Sequence, residues 1–468
     1  MSKWEIRDSI HGFIEFKEQE IKGIVDKQIF QRLRGIKQLA LACLLYPGAT
    51  HTRFEHSLGV MYIADRMGKT LELSNEDLEL LRHTALLHDL GHGPFSHVSE
   101  NVLESFADDN IKNIFRRYEN DKSKEKIHEL ITMQLIILEN FEKVDKEKIV
   151  GILLPDYKSA KEIREAIINF LRISDHPPDP ILREIISGPI DADKQDYLLR
   201  DSYFCGVKYG VFDIDRLHNT LEKVEDSSGL KSLAINEDGI HALEQYIMAK
   251  YYMNTQIYRH RLRRITDAML TRAIELGIVE DQLQFLKDLY LYDGSEEYLE
   301  NYKKWDDEKV LREIIKNGKG KSYEIVLNLK ERKLFKEIYN QNLSKFSERI
   351  RERIDNLSNE EKKEIEERIG ELLGFNRCYI IIDVYKIKSA KEEIYSEGEI
   401  QVRRKGTFRE ESTLFKSIDE AMQDKFIAIY APASWTTDVD KDKKKRDWKE
   451  KIEQIIYDKL GGGDDVKN

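Results

Sequence analysis

Six of the chain's twelve histidines, His51, His56, His83, His88, His92 and His97, fall within 47 residues, and the densest stretch is HDLGHGPFSH at 88–97. Neutral imidazoles and carboxylates at this density are the ligand set of a divalent transition metal. His88 and Asp89 are adjacent at the end of a helical stretch that Gly91, Gly93 and Pro94 must break, so both can turn towards one ion. His56, in GATHTRFEHS, can add an imidazole from another helix start, and a fourth, acidic ligand has to come from further along. The best source is GPIDADKQDYLLRDS (188–202). A helix beginning after Gly188-Pro189 puts Asp193, Tyr197, Arg200 and Asp201 on one face, too polar for a core. Asp191 reads as the cap of that helix rather than a ligand. Neither HTRFEH nor HELIT (128–132) is HExxH, which removes a zinc-protease reading.

Composition limits what such a site can serve. Lysine plus arginine number 76 against 87 aspartates and glutamates, a net charge of −11, so the chain has no global attraction for nucleic acid. A polyphosphate ligand would need a local basic cluster or a metal. The three cysteines, Cys43, Cys205 and Cys378, are isolated, which gives neither a disulfide framework nor a thiolate zinc site. Apolar runs such as YIII (379–382) fall far short of the ~20 residues that span a bilayer. The N-terminus lacks the apolar stretch of a signal peptide, so a cytoplasmic location is expected.

The elements that must position the histidines read as helices. Residues 55–71 carry apolar side chains at helical spacing, and 76–88 run helically from the caps Ser74-Asn75 into the cluster. Residues 241–276 have the length of one long helix or two end to end. From about residue 320 the texture changes: 323–329 (YEIVLNL), 378–385, 399–404 and 425–431 read as strands, with helices over 345–372 and 438–459. Acidic residues interleave the lysine-rich DVDKDKKKRD (438–447), so it reads as a solvated helix start rather than a nucleic-acid patch. The expected fold class is mainly α: a helical catalytic region over 1–320 with its core at about 50–205, an α+β C-terminal regulatory or assembly subdomain over 321–460, and a disordered tail at 461–468.

At this point the chain resembles a known family. His56, His88, Asp89 and Asp193 carry the H…HD…D signature of HD-domain metal phosphohydrolases. YPGATHTRFEHSLGV, LLHDLGHGPFSH and IDADKQDYLLRD resemble the deoxynucleoside triphosphate (dNTP) triphosphohydrolases, the group of the SAM-and-HD-domain enzyme and the deoxyguanosine triphosphohydrolases. The resemblance runs from about DSIHGFIE (8–15) through YRHRLRRITDAML (258–270) and more loosely beyond, and a form of the enzyme without the SAM domain is expected.

The resemblance implies hydrolysis of a dNTP to deoxynucleoside and triphosphate at a divalent ion (Fe, Mn, Mg or Zn) held by His56, His88, Asp89 and Asp193. His97 would protonate the leaving 5′-oxygen, with Glu100 and His128 holding or replenishing its proton and His92 near the α-phosphate. Substrate contacts carried over by motif are Gln38, Leu39, Arg53, Lys194, Tyr197, Asp201 and Tyr258. Gln38 and Asp201 would hydrogen-bond the sugar 3′-hydroxyl, and Tyr258 would exclude a ribose 2′-hydroxyl. Lys250 stands where the family carries a phosphate-binding arginine. The resemblance also implies activation by GTP or dGTP through Asp26, Gln31 and Arg34 at a subunit interface, promoting a homotetramer. On the phosphate side of that site Arg7 stands where the family has a smaller polar residue.

Two other classes compete. A phosphodiesterase or 5′-nucleotidase can use the same metal set, but neither needs the deoxyribose contacts of Gln38, Tyr197, Asp201 and Tyr258. A non-catalytic nucleotide or nucleic-acid scaffold would have no need for a complete ligand set beside an acid candidate.

Overall fold

A computed structural model of the chain describes residues 4–116, 127–155, 161–225, 231–387, 400–403, 405–416, 424–434 and 437–461. The fold is mainly α. The chain divides into two compact units, one comprising 1–254, 284–312 and 390–420, the other 255–283, 313–389 and 421–468. The division is therefore interleaved, where a single cut after residue 320 was expected. Among the described residues no helix is long and apolar enough to cross a membrane.

In the first unit a short antiparallel hairpin, Trp4–Asp8 with Gly12–Phe16, precedes the helices. The helix Arg53–Thr70 starts on a Thr52/Glu55 capping box, and Asn75–Leu87 starts where the Ser74 hydroxyl accepts the Asp77 N–H at 3.1 Å. Turns through Gly91, Gly93 and Pro94 then deliver the chain to the helix His97–Phe106. Gly91 has a packing reason: a Cβ there would strike His128 O and Thr132 N of the helix Ile127–Leu138. The helix Ala192–Cys205 begins at Asp191, whose carboxylate accepts the Lys194 N–H at 2.7 Å, and stops at Gly206 in the left-handed region. Gly59 lets it lie close to Arg53–Thr70, because a Cβ there would collide with the side chains of Asp196 and Arg200. A four-stranded sheet (order 221–225, 231–235, 401–402, 406–407) completes this unit.

The second unit packs helices around a three-stranded antiparallel sheet in which Asp424–Ala431 lies between Lys336–Asn342 and Ile381–Ile387. Ile338, Ile369, Ile382, Ile427, Ile429, Ile452 and Ile456 are among its buried core.

Several sequence expectations change here. Residues 323–329 are not a strand but part of the helix Lys321–Lys330: Ser322, Ile325, Val326 and Leu329 are buried at helical spacing, so period outweighs composition. The strand instead lies at Lys336–Asn342, whose mixed polar sequence hid it. Of 399–404 only Gln401–Val402 is strand, and residues 399 and 404 lie outside the described residues. The helix expected over 345–372 breaks into Glu348–Asp355 and Asn359–Leu373, because Ser358 caps the second. Residues 241–276 form two helices, Ile240–Met253 and Arg261–Val279, and the expected 438–459 helix spans Asp438–Leu460. The expectation of a disordered tail falls, after residue 461, outside the described residues.

Candidate metal centre

Three helices of the first unit bring the site together. The helix Arg53–Thr70 supplies His56, the C-terminus of Asn75–Leu87 leads into His88 and Asp89, and Ala192–Cys205 supplies Asp193 in its first turn. One ligand atom from each of His56, His88 and Asp193 falls within 4.8 Å of the others. His56 Nε2 lies 2.9 Å from Asp193 Oδ1 and 3.6 Å from Asp89 Oδ2. His88 Nε2 lies 3.4 Å from Asp89 Oδ1 and 3.7 Å from Asp193 Oδ1. His88 is fixed by its other nitrogen, 2.8 Å from the Ala85 carbonyl oxygen, and its Nε2 is buried without a hydrogen-bond partner. Two imidazole nitrogens and the Asp193 carboxylate facing one point are donors a divalent ion takes, whereas Asp89, expected as a fourth ligand, lies beside this group and is held by Arg53.

The electrostatics agree. Burial works to lower the His56 pKa, but hydrogen bonds to Asp193 and Asp196 outweigh it and hold the ring up at about 10. His88 is likewise raised against burial by Asp89 and Asp193. Burial opposes ionisation of Asp89, yet Arg53, His88 and His92 hold its carboxyl well below the usual range. Asp193 is lowered against burial by both imidazoles. The cluster thus demands positive charge at its centre, which protons or a metal ion can supply.

Five of the other expected residues connect to this centre: Arg53 and His92 directly, and His97, His128 and Glu100 through His92. Arg53 donates to Asp89, and from Nε to Ser96 Oγ at 2.9 Å, while its Nη2 is buried without a partner. His92 Nε2 lies 3.3 Å from Asp89 Oδ1. Burial, Arg53 and His128 hold the His92 imidazole well below its ordinary pKa, so it is neutral at pH 7. His92 stacks on His128 (centroids 3.9 Å apart) and meets His97 edge-on at 5.6 Å. His128 Nδ1 reaches Glu100 Oε2 at 2.5 Å.

The substrate candidates divide. Gln38 is buried with Oε1 unpartnered, and Leu39 beside it is buried. The Lys194 ammonium turns back to Asp191 and the Gly188 carbonyl. Asp201 is buried against His51, whose Nε2 lies 2.7 Å away. Tyr197 is half-buried and Lys250 buried. Tyr258 belongs to the second unit, where it is half-buried under Arg263. Asp26 is exposed, while Arg34 donates to Gln31 Oε1 at 2.8 Å and covers the Phe54 ring at 3.4 Å.

One expectation is corrected. The face of Ala192–Cys205 carrying Arg200 and Asp201 was judged too polar for a core, yet both side chains are buried. Each charge is satisfied: Arg200 pairs with Asp196 and Asp8, and Asp201 with His51.

Residues 53–187 match the HD domain, and residues 212–447 match the HD associated region. The chain belongs to the HD-domain family with this associated region. An uncharacterized protein of Methanocaldococcus jannaschii is 37% identical over 61% of this HD chain and 52% of its own length. The deoxynucleoside triphosphate triphosphohydrolase SAMHD1 of Bos taurus is 31% identical over 57% of this chain and 46% of its own. The HD chain thus spans about half the length of the curated relatives it matches. A hypothetical protein of Aquifex aeolicus, of known crystal structure, superposes with a TM-score of 0.61 at 29% identity, covering 97% of this chain and 100% of that one.

Sequence reasoning missed four residues of the HD site. His11 and Asp196 bond the far side of the His56 network, and His51 holds Asp201. Asp307 accepts the Phe95 and Lys37 N–H groups at 2.7 and 3.1 Å, beside Phe95 and Ser96, which both adopt positive φ (67° and 51°). Asp196, three residues after Asp193, and His51, within the histidine-rich stretch, carried local signals.

Proposed function

We propose that the chain is a metal-dependent HD phosphohydrolase that cleaves dNTPs to deoxynucleoside and triphosphate. The observation that carries the reading is the convergence of His56, His88 and Asp193 on one point, with a buried, unpartnered Arg53 Nη2 and a neutral imidazole beside it. The relatives named as dNTP triphosphohydrolases support the substrate class.

His56, His88, Asp89 and Asp193 would hold the ion. A divalent cation there supplies an acidified water and neutralises phosphate charge. The remaining work belongs to the chain's own groups. Arg53, anchored on Asp89 and Ser96, offers Nη2 to a phosphate oxygen, a geometry that a guanidinium holds and an ammonium does not. Lys194 leaves Asp191 to meet the phosphate chain, and Lys250 adds charge. His97 gives its proton to the departing 5′-oxygen, and Glu100 steadies His128 as the relay behind it. Gln38 and Asp201 bind the 3′-hydroxyl, and Leu39 and Tyr197 line the sugar.

The reading extends to control by a guanine nucleotide. Asp26 and Gln31 match the N1 and N2 donors of guanine and Arg34 its O6 acceptor, and assembly to a homotetramer would couple that site to activity.

The experiment is incubation of the purified protein with each dNTP, singly and mixed, with Mn(II) or Mg(II), followed by chromatography of products. Deoxynucleoside plus triphosphate is expected; dNMP plus pyrophosphate overturns the reaction assignment. Added GTP or dGTP should raise the rate and the sedimenting mass together, and Arg34→Ala should abolish both responses with the metal retained.

A further inference from the structure

We infer that the N-terminal hairpin is a working part of the metal centre: Asp196, gripped by Arg200 and His11, fixes the His56 imidazole so that its Nε2 faces the ligand cluster, and Asp8 holds Arg200 in place. The inference rests on the reading of His56 as a metal ligand.

The geometry is a continuous buried chain. His56 Nδ1 lies 2.8 Å from Asp196 Oδ2, and His11 Nε2 lies 2.6 Å from Asp196 Oδ1. Arg200 donates to the same carboxylate in a fork, from Nε to Oδ2 at 2.8 Å and from Nη2 to Oδ1 at 2.9 Å. Its third nitrogen, Nη1, donates to Asp8 Oδ2 at 2.8 Å, and Asp8 Oδ1 accepts the N–H groups of Ile10 and His11 across the hairpin turn at 2.8 and 2.9 Å. His56, Asp196 and Arg200 are wholly shielded from solvent.

An ionised carboxylate only accepts hydrogen bonds, so Asp196 must receive the Nδ1 proton of His56 and the Nε2 proton of His11. With Nδ1 committed to Asp196, Nε2 is the nitrogen left facing the cluster, where it donates to Asp193 Oδ1 at 2.9 Å and would give up that proton to a bound ion. One helix thus supplies both the ligand Asp193 and the brace Asp196, at i and i+3 on the face towards His56. A buried Asp–Arg pair is weak grounds for stability alone, but a carboxylate behind a ligating imidazole orients the ring and raises its basicity. The hairpin adds the last fixed points: His11 stacks on Tyr62 at 4.9 Å, and Gly12, at φ 74°, closes the turn.

The test uses the full chain stripped of metal and titrated with Mn(II), with the Co(II) absorption spectrum as a second readout. Losing a partner behind a ligand typically costs about 10–100-fold in metal affinity. Asp196→Asn should therefore weaken Mn(II) binding within that range and alter the Co(II) spectrum. Should that variant fold poorly, His11→Phe keeps the ring on Tyr62 but removes the donor, and should weaken Mn(II) binding severalfold, with His11→Gln restoring it. Parent-like affinity and spectrum in folded Asp196→Asn and His11→Phe, while His88→Ala loses the metal, would overturn the hairpin's role and leave the ligand assignment standing. Parent-like binding in His88→Ala would overturn the ligand assignment and this inference with it.

Discussion

His128 Nδ1 lies 2.5 Å from Glu100 Oε2 with both side chains buried, 28 residues apart in sequence. His92 stacks on His128 and His97 stands against His92, so an array of imidazoles runs from Asp89, 3.3 Å from His92, to Glu100 at its other end. Glu100→Gln keeps the shape of that end and removes its charge. It should lower kcat about 10²-fold, the range of one general acid–base contribution, with KM and bound metal little changed. Steady-state kinetics with metal analysis check this.

Removing a ligand and removing its counter-charge should look different. His88→Ala should lose the metal and turnover with the melting temperature largely kept. Asp89→Ala also strands the buried Arg53, which pairs with it, at a cost of about 3–5 kcal/mol. Thermal melts beside metal analysis should therefore separate the two variants.

Asp307 makes stability fall as pH rises. Burial outweighs its two backbone hydrogen bonds and pushes its pKa up to about 6. An unfolded aspartate titrates near ~3.9, so between the two values the folded chain binds the extra proton. The stabilisation is complete below about pH 4 and is lost through about pH 6, by up to about 3 kcal/mol. Asp307→Asn, neutral at all pH, should flatten this part of the urea-denaturation profile against pH.

Sugar selectivity tests what the family resemblance implies for Tyr258. Tyr258→Ala should raise ribonucleotide hydrolysis relative to dNTP by about 10-fold or more, since steric exclusion rests on one bulky neighbour. Unchanged discrimination would make Tyr258 a packing residue. Competition assays with ATP against dATP give the ratio.

Much of the site was legible because its parts are local and chemically conspicuous. HD at a helix end followed by Gly-His-Gly-Pro, and Asp193 one residue beyond the first turn's start, announce themselves by type and spacing. Helix limits at Ser74 and Asp191 followed from capping chemistry. The misread stretch 323–329 shows the opposite case, where β-branched and aromatic residues suggested a strand and packing of one helical face decided otherwise.

By itself the sequence determined the mainly helical class and singled out His56, His88 and Asp193, which the fold brings within reach of one another. Tertiary structure alone decided which charges could be buried. Arg200 reads as part of a polar helix face, and Asp196 is not singled out, until Asp8 and His11, more than 180 residues earlier, close on them. Asp307 gains its role only where the Phe95 and Lys37 amides meet it. The physical reason is that a buried charge is tolerated only beside its partner, and a partner far along the chain leaves no mark in the local pattern of residues.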